Sequence, residues 1–339
     1  MNTQQNPNIN LFESSILVTG GAGFIGSHIV EFLLKNGAKF VRVLDNLSTG
    51  SKSNIDFLLQ QYSNVEFVWG DIRNLEACRD ACRNINMICH QAALGSIPRS
   101  IDYPLNSHEV NVNGMVNMLI AAQEHGIKRF VYASSSSVYG TNNEPTKIEA
   151  ENGEPLSPYA VTKCVGELYA SIFTKVYHLE CIGLRYFNVF GPRQDPNGVY
   201  AAVIPKFIKL MSNGIAPTIN GDGTYSRDFT YVDNIVYANF LALTTTNANC
   251  FGEVFNVGTN NSISINKLYQ SLKKLTNYTG EVIHGPNRLG DVPYSNASIS
   301  KISEMLGYKP MIYFDEGLEK TVKFFLRCRK ELSKLSSTN

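Results

Sequence analysis

The chain has 339 residues, 43% of them hydrophobic, with 30 Lys and Arg against 29 Asp and Glu and a formal net charge of +1. It can bury a large core, its balance of charge gives no broad field to draw nucleic acid, and no run nears the ~18 apolar residues of a membrane-spanning helix. That length suits two domain-sized units, or one large α/β domain with a smaller lobe.

The opening MNTQQNPNIN is polar and lacks an apolar core, so no secretory signal is expected there and the protein reads as cytoplasmic. Strand then alternates with helix. Ile16–Thr19 is a β-branched run that ends in GGAGFIG, followed by an amphipathic stretch over Ser27–Lys35. Phe40–Leu44 is the next strand, ending at Asp45, and a Ser-, Thr- and Gly-rich loop leads to a helix around Ile55–Tyr62. Val65–Trp69 and Met87–Cys89 read as strands on either side of a helix at Leu75–Cys82. Helical spacing returns over Val110–His125, then a buried strand at Phe130–Ala133, a helix at Tyr159–Tyr177 and a strand at Cys181–Arg185. Such βαβ rhythm predicts a Rossmann-type, doubly wound parallel sheet covered on both faces. After Gly191 the rhythm loosens into helices near Val203–Met211, Val232–Leu243, Ile265–Leu275 and Phe314–Arg327. The expected organisation is a nucleotide-binding domain over residues 12–190, its sheet open to completion by later segments. A smaller α/β lobe over 191–330 and frayed tails at 1–11 and 331–339 make up the rest. The seven cysteines (78, 82, 89, 164, 181, 250 and 328) include no CxxC and no zinc-ligand spacing to a His, so they read as reduced thiols and no metal is expected.

The glycines carry the first chemical signal. Gly20, Gly23 and Gly26 sit where a strand hands over to a helix: the first permits the tight turn, the second a close pyrophosphate, the third close helix packing. The helix N-terminus offers its free N–H groups to the phosphates. Asp45, nineteen residues past Gly26, ends the second strand, where a carboxylate suits both adenosine ribose hydroxyls and repels a 2′-phosphate. Asn46, not Arg, follows it, which favours NAD over NADP.

Tyr159 and Lys163 are four apart on one helical face, so an ammonium near the phenol, together with a nicotinamide cation, is expected to lower the phenol's pKa and make it a base for a substrate hydroxyl. Before them, Ser134 to Ser137 close a strand at the sheet end where such folds keep their sites; the residues alone leave open which serine points inward.

From Ile16 to Cys328 the chain resembles the extended short-chain dehydrogenase/reductases and, within them, the UDP-sugar 4-epimerases. GGAGFIG, Asp45-Asn46, Gly70-Asp71-Ile72, His90-Gln91-Ala92-Ala93, Asn111-x-x-Gly114, SSSSVYG, YAVTK, RYFNVFGPR and Arg227-Asp228-Phe229 fall in that family's order. The resemblance implies tightly bound NAD against Gly20, Gly23, Phe24, Ile25, Gly26, Asp45 and Asn46. Asp71 and Ile72 would flank the adenine, and Gln91, Ala92 and Ala93 the middle of the cofactor. It makes Tyr159 the base, Lys163 the holder of the nicotinamide ribose and Ser135 the serine at the sugar O4, with Ser136 and Ser137 beside it. Asn188, Arg227 and Arg288 would bind the diphosphate of a UDP-sugar and Asp291 the uridine ribose, with Ala202, Val203 and Lys206 on the substrate side. The 4,6-dehydratases and UDP-glucuronate decarboxylases of this fold carry acids in the serine strip, and this chain has none there. Leu94 to Ser100 resembles the loop of epimerases that prefer N-acetylated UDP-sugars, with Gly95 leaving room and Ser96 offering a hydroxyl. A gate residue falls at Ser295, or at Tyr294 in an alternative alignment. UDP-GlcNAc/UDP-GalNAc is therefore the expected pair, UDP-glucose/UDP-galactose the alternative, and a non-catalytic NAD-binding regulator the weaker second class. A homodimer, packed through the helices at Val110–His125 and Tyr159–Tyr177, is also implied, with neither nucleic acid nor membrane as a partner.

Overall fold

The computed structural model describes residues 10–198, 200–286 and 292–336. Its central sheet has seven parallel strands: β1 (Ser15–Thr19), β2 (Phe40–Asp45), β3 (Val65–Trp69), β4 (Met87–His90), β5 (Arg129–Ser135), β6 (Glu180–Tyr186) and β7 (Val254–Val257). They run in the order β7-β6-β5-β4-β1-β2-β3. The order reverses between β1 and β4, and a ligand crevice opens at the C-terminal strand ends of such a switch point.

Alternation along each strand decides which layer a side chain joins. Ile16 and Val18 of β1 pack with Ile29, Val30 and Leu33 of the helix Phe24–Lys35 and with Ile235 of the helix Val232–Thr244. Leu17, between them, turns the other way to meet Ile88, Met118 and Phe130. Both faces are thus covered, and all five residues of β1 are buried.

Several helices differ from the sequence reading. The first begins at Phe24, not Ser27, because Gly23 is its N-cap. Leu94 to Ser100 is not all loop: Ser96 caps a helix at Ile97–Asp102, with Pro98 in its first turn, and Pro104–His108 follows as another. Pro is tolerated there because first-turn amides have no helical acceptor. Val110–His125 divides into a π-helical turn, Glu109–Asn113, and an α-helix, Gly114–Glu124. Asn111 in that turn donates to the Leu94 carbonyl (3.1 Å) and to Thr162 Oγ1 (3.1 Å) and accepts the Leu94 N–H (2.7 Å). It joins the Leu94 loop to the helix Pro158–Tyr177.

The chain after residue 191 returns to the main sheet through β7 and the helix Val232–Thr244, so the two lobes interleave in sequence. A four-stranded sheet joins three of its strands to one from before residue 191, in the order Ile263–Ser264, Ser226–Arg227, Tyr294–Ala297, Thr146–Lys147. Asp228 is fully buried there and accepts the N–H groups of Thr259 (2.9 Å), Asn260 (2.9 Å) and Ala297 (3.3 Å), which fixes Arg227 beside Ser295. Among the described residues no helix is long and apolar enough to cross a membrane.

Candidate active site

A cleft of about 640 Å³ lies over the C-terminal ends of β1, β2, β4 and β5. Its floor is the glycine turn. Gly20 holds φ +66°, and a Cβ there would lie 2.7 Å from the Ala92 nitrogen; on Gly26 it would lie 2.1 Å from the Gly20 carbonyl oxygen. Only glycine lets these segments approach. Gly23 caps the following helix without a side-chain hydrogen bond, so the first-turn amides of Phe24 and Ile25 are left for an anion in the cleft. These donors and the close backbone approach fit the pyrophosphate of NAD.

Asp45 and Asn46 line the same cleft. Asp45 is buried, and its two oxygens accept the N–H groups of Ala22 (3.0 Å) and Leu47 (2.8 Å). Burial pushes its carboxyl upward against those two bonds. Each oxygen expected at the ribose thus already carries one main-chain bond. The Arg73 guanidinium beside Asp71, with Asn46, holds that carboxyl down to about 2. Ile72, Gln91, Ala92 and Ala93 line the cleft beyond them.

The helix Pro158–Tyr177 delivers Tyr159 and Lys163 to the cleft wall, its N-terminus capped by Ser157 Oγ on the Ala160 N–H (3.2 Å). Lys163 Nζ donates to the Ala133 carbonyl (2.8 Å) and stands 5.9 Å from the centre of the Tyr159 ring. Of the four serines, Ser135 faces the Tyr159 phenol and accepts the Ser137 N–H (3.1 Å). Ser134 turns away and donates to Glu167 Oε1 (2.5 Å). Ser137 Oγ is buried without a protein partner, and Ser136 and Ser137 both line the cleft. The protein's own groups do not by themselves supply the expected lowering of the phenol's pKa. Burial pushes the Tyr159 phenol up, with the nearby Ser135 pulling against it, and burial draws Lys163 down to about 8. Desolvation disfavours the charged form of each.

Gly95, Ser96, Asn188, Arg227 and Ser295 line the cleft as well. Nothing lies within 4 Å of a Cβ built on Gly95. Ser295 is buried while Tyr294 is half exposed and absent from the cleft wall, because neighbours on a strand face opposite ways. Ala202, Val203 and Lys206 lie in an adjoining cavity that shares Gly95, Ser96, Asn188 and Arg227 with the cleft. Arg227 Nη1 donates to the Ser226 carbonyl (2.8 Å). Arg288 and Asp291 lie outside the described residues.

Sequence reasoning missed two groups. Tyr186 sits at the cleft floor, where its hydroxyl donates to Gln91 Oε1 (3.0 Å) and accepts from the buried Asn239 (2.8 Å). Glu167 pairs with the fully buried Arg185 (2.7 Å). Glu167 falls four after Lys163, so the same helical-face arithmetic reaches it.

Residues 16–258 match the NAD dependent epimerase/dehydratase family. The chain is similar to a putative UDP-glucose 4-epimerase of Methanocaldococcus jannaschii, 39% identical over 311 residues, covering 91% of this chain and 97% of that protein. Among solved structures it is similar to a UDP-N-acetylglucosamine 4-epimerase of Methanobrevibacter ruminantium in complex with UDP-N-acetylmuramic acid (TM-score 0.86, 38% identity, covering 93% and 99%). It is also similar to a UDP-glucose 4-epimerase of Thermus thermophilus in complex with NAD (TM-score 0.83, 35% identity, covering 92% and 99%). With the glycine turn, the Tyr159–Lys163 pair and this match on one cleft, the chain belongs to the NAD dependent epimerase/dehydratase family, and NAD is its cofactor.

Proposed function

We propose that this protein inverts C4 of a UDP-sugar through a 4-keto intermediate, and that UDP-GlcNAc and UDP-GalNAc are its preferred pair. The observation that carries the reaction is Tyr159, Ser135 and Lys163 converging on the cleft at the end of β5. When bound, NAD supplies the acceptor and then the donor of the C4 hydride. Tyr159 takes the proton of the 4-hydroxyl while Ser135 holds that oxygen. Lys163 orients the nicotinamide ribose. Asn188 and Arg227 border both cavities and so are placed to grip the diphosphate, with Arg288 and Asp291 assigned to the same end of the nucleotide. A tight grip there and a loose one on the sugar let the keto sugar turn its other face, after which Tyr159 returns the proton to the inverted oxygen. The serine strip holds no acid for a dehydration, and Glu167, whose carboxylate accepts from Ser134, is committed to Arg185. The intact Tyr159, Lys163 and Ser135 likewise speak against a non-catalytic regulator.

Relatives of both substrate names resemble the chain, so the choice of sugar rests on the pocket. Open space at Gly95 and a small Ser295 facing the cleft favour a substrate with an acetamide group. UDP-glucose/UDP-galactose is the second pair, turned over less well. Wild-type protein should convert UDP-GlcNAc faster than UDP-glucose. Ser295→Tyr should cut turnover of the acetylated pair roughly 100-fold and spare the other within a few-fold, because an overlapping ring costs far more than a lost contact. Equal losses on both pairs would remove Ser295 as the gate.

A homodimer is part of this proposal. Leu168, Ile172 and Val176 expose an apolar stripe on the helix Pro158–Tyr177, continued by Ile101 and Leu105 of the helices packed beside it. Sedimentation at micromolar concentration should give twice the 37.6 kDa chain mass. A monomer there would contradict it.

A further inference from the structure

The helix Pro158–Tyr177 reads three successive residues of β5 with three residues of one face. Lys163 binds the Ala133 carbonyl (2.8 Å), Glu167 accepts from Ser134 (2.5 Å), and Tyr159 faces Ser135. Spacings of four and eight along the helix stack these side chains in one row. The contact at Glu167 is anchored further, across the sheet to β6. Its Oε1 also takes Arg185 Nε (2.9 Å) and its Oε2 takes Arg185 Nη2 (2.7 Å), a two-pronged pair. Arg185 lies on β6 directly opposite Ser134, and its Nη1 donates to Asn152 Oδ1 (2.9 Å) and the Glu149 carbonyl (3.2 Å). The guanidinium is therefore fixed by the helix and by the loop of Glu149 and Asn152, and through it so is the carboxylate.

We propose that Glu167 is a positioning residue with two effects: it locks the helix to β5 in the register that brings Ser135 to Tyr159, and it is the counter-charge that keeps Lys163 protonated. This rests on Tyr159 and Lys163 acting as described under the proposed function. The ionisable groups facing Lys163 are Tyr159 and Glu167 on its own helix and His90 from β4, while Arg185 from β6 faces Glu167. His90 is buried and held down to about 3, hence neutral across the working range. Among these groups Glu167 alone supplies negative charge, against the burial that brings Lys163 down to about 8. Removing that charge must lower Lys163 further, so Lys163 loses its proton at lower pH.

The test separates register from charge. Glu167→Gln should move the alkaline limb of the turnover profile to lower pH by about one unit. Glu167→Asp keeps the charge but withdraws it by one methylene, so it should leave that limb in place and lower kcat about tenfold with KM within twofold. A direct readout needs no activity: lysine ε-carbon NMR on the intact protein, with Lys163→Met identifying the signal, should give a midpoint that falls in Glu167→Gln and not in Glu167→Asp. Parallel profiles and equal midpoints in Glu167→Gln and wild type would overturn the charge effect; wild-type kcat in Glu167→Asp would overturn the register effect. If Glu167→Gln does not fold, the Lys163 midpoint in Glu167→Asp still decides, since a midpoint well below wild type there contradicts the proposal. A wild-type protein inert on every UDP-sugar would refute the proposed function and leave the NMR result to judge Glu167 by itself.

Discussion

Replacing Tyr159 by Phe is expected to lower kcat for UDP-sugar epimerisation about 1000-fold while KM stays within a few-fold. The substitution removes one oxygen from the cleft wall and leaves the ring beside Lys163 in place. A positioned acid–base group contributes on the order of 10²–10⁴ in rate, and here it is used twice, once to take the proton and once to return it. Ser135 Oγ, which the phenol faces, keeps the Ser137 N–H, so the effect on stability should be small. Steady-state assay with UDP-GlcNAc, alongside cofactor content after purification, separates the outcomes. NAD should stay bound, since its pyrophosphate site lies at the glycine turn. Turnover near the wild-type rate would show that another group moves the proton.

The second large effect is expected at Gly26→Ala. Its Cβ would sit 2.1 Å from the Gly20 carbonyl oxygen and 2.8 Å from Gly21 Cα, and both are main-chain atoms that no rotamer change can move. The helix Phe24–Lys35 would have to back away from β1, which opens the Ile16, Val18, Ile29 and Val30 layer. Overpacking of this kind costs about 3 kcal/mol, or a fall in Tm of roughly 6 °C for a domain of this size. The free amides of the first turn leave with the helix, so NAD affinity should fall at least 100-fold. Calorimetry with and without added NAD reads both effects; an unchanged Tm with full cofactor retention would contradict the close packing.

Much of the architecture is legible in the chain because strands and helices alternate with clear periods, and Val65–Trp69 and Leu75–Cys82 have the bounds that their patterns indicate. The Leu94 to Ser100 segment misleads for a physical reason: Gly, Ser and Pro open a turn and a helix equally well, and only the Ser96 hydroxyl on the Arg99 N–H (3.4 Å) decides for helix. The last helix runs to Ser336, past the Arg327 at which its apolar pattern fades, because a helix continues through polar residues once started. Strand β7 adds to the sheet through long-range pairing with Gly183–Tyr186, which no local pattern announces. At the site, Gly20, Asp45, Tyr159 and Lys163 stand out by spacing. The environment of Tyr159 does not, because burial depends on depth below the surface, which spacing along the chain does not reveal. Nor does the Glu167–Arg185 pair, whose members meet through the register of β5 against β6.

The reaction proposed for this cleft returns to each sugar the hydrogen it gave up. Incubating wild-type protein with UDP-GlcNAc deuterated at C4, together with unlabelled UDP-GlcNAc, should yield UDP-GalNAc in which labelled molecules keep their deuterium at C4 and unlabelled ones gain none. Loss of deuterium to water, transfer between molecules, or no C4 epimer from any UDP-sugar would contradict it.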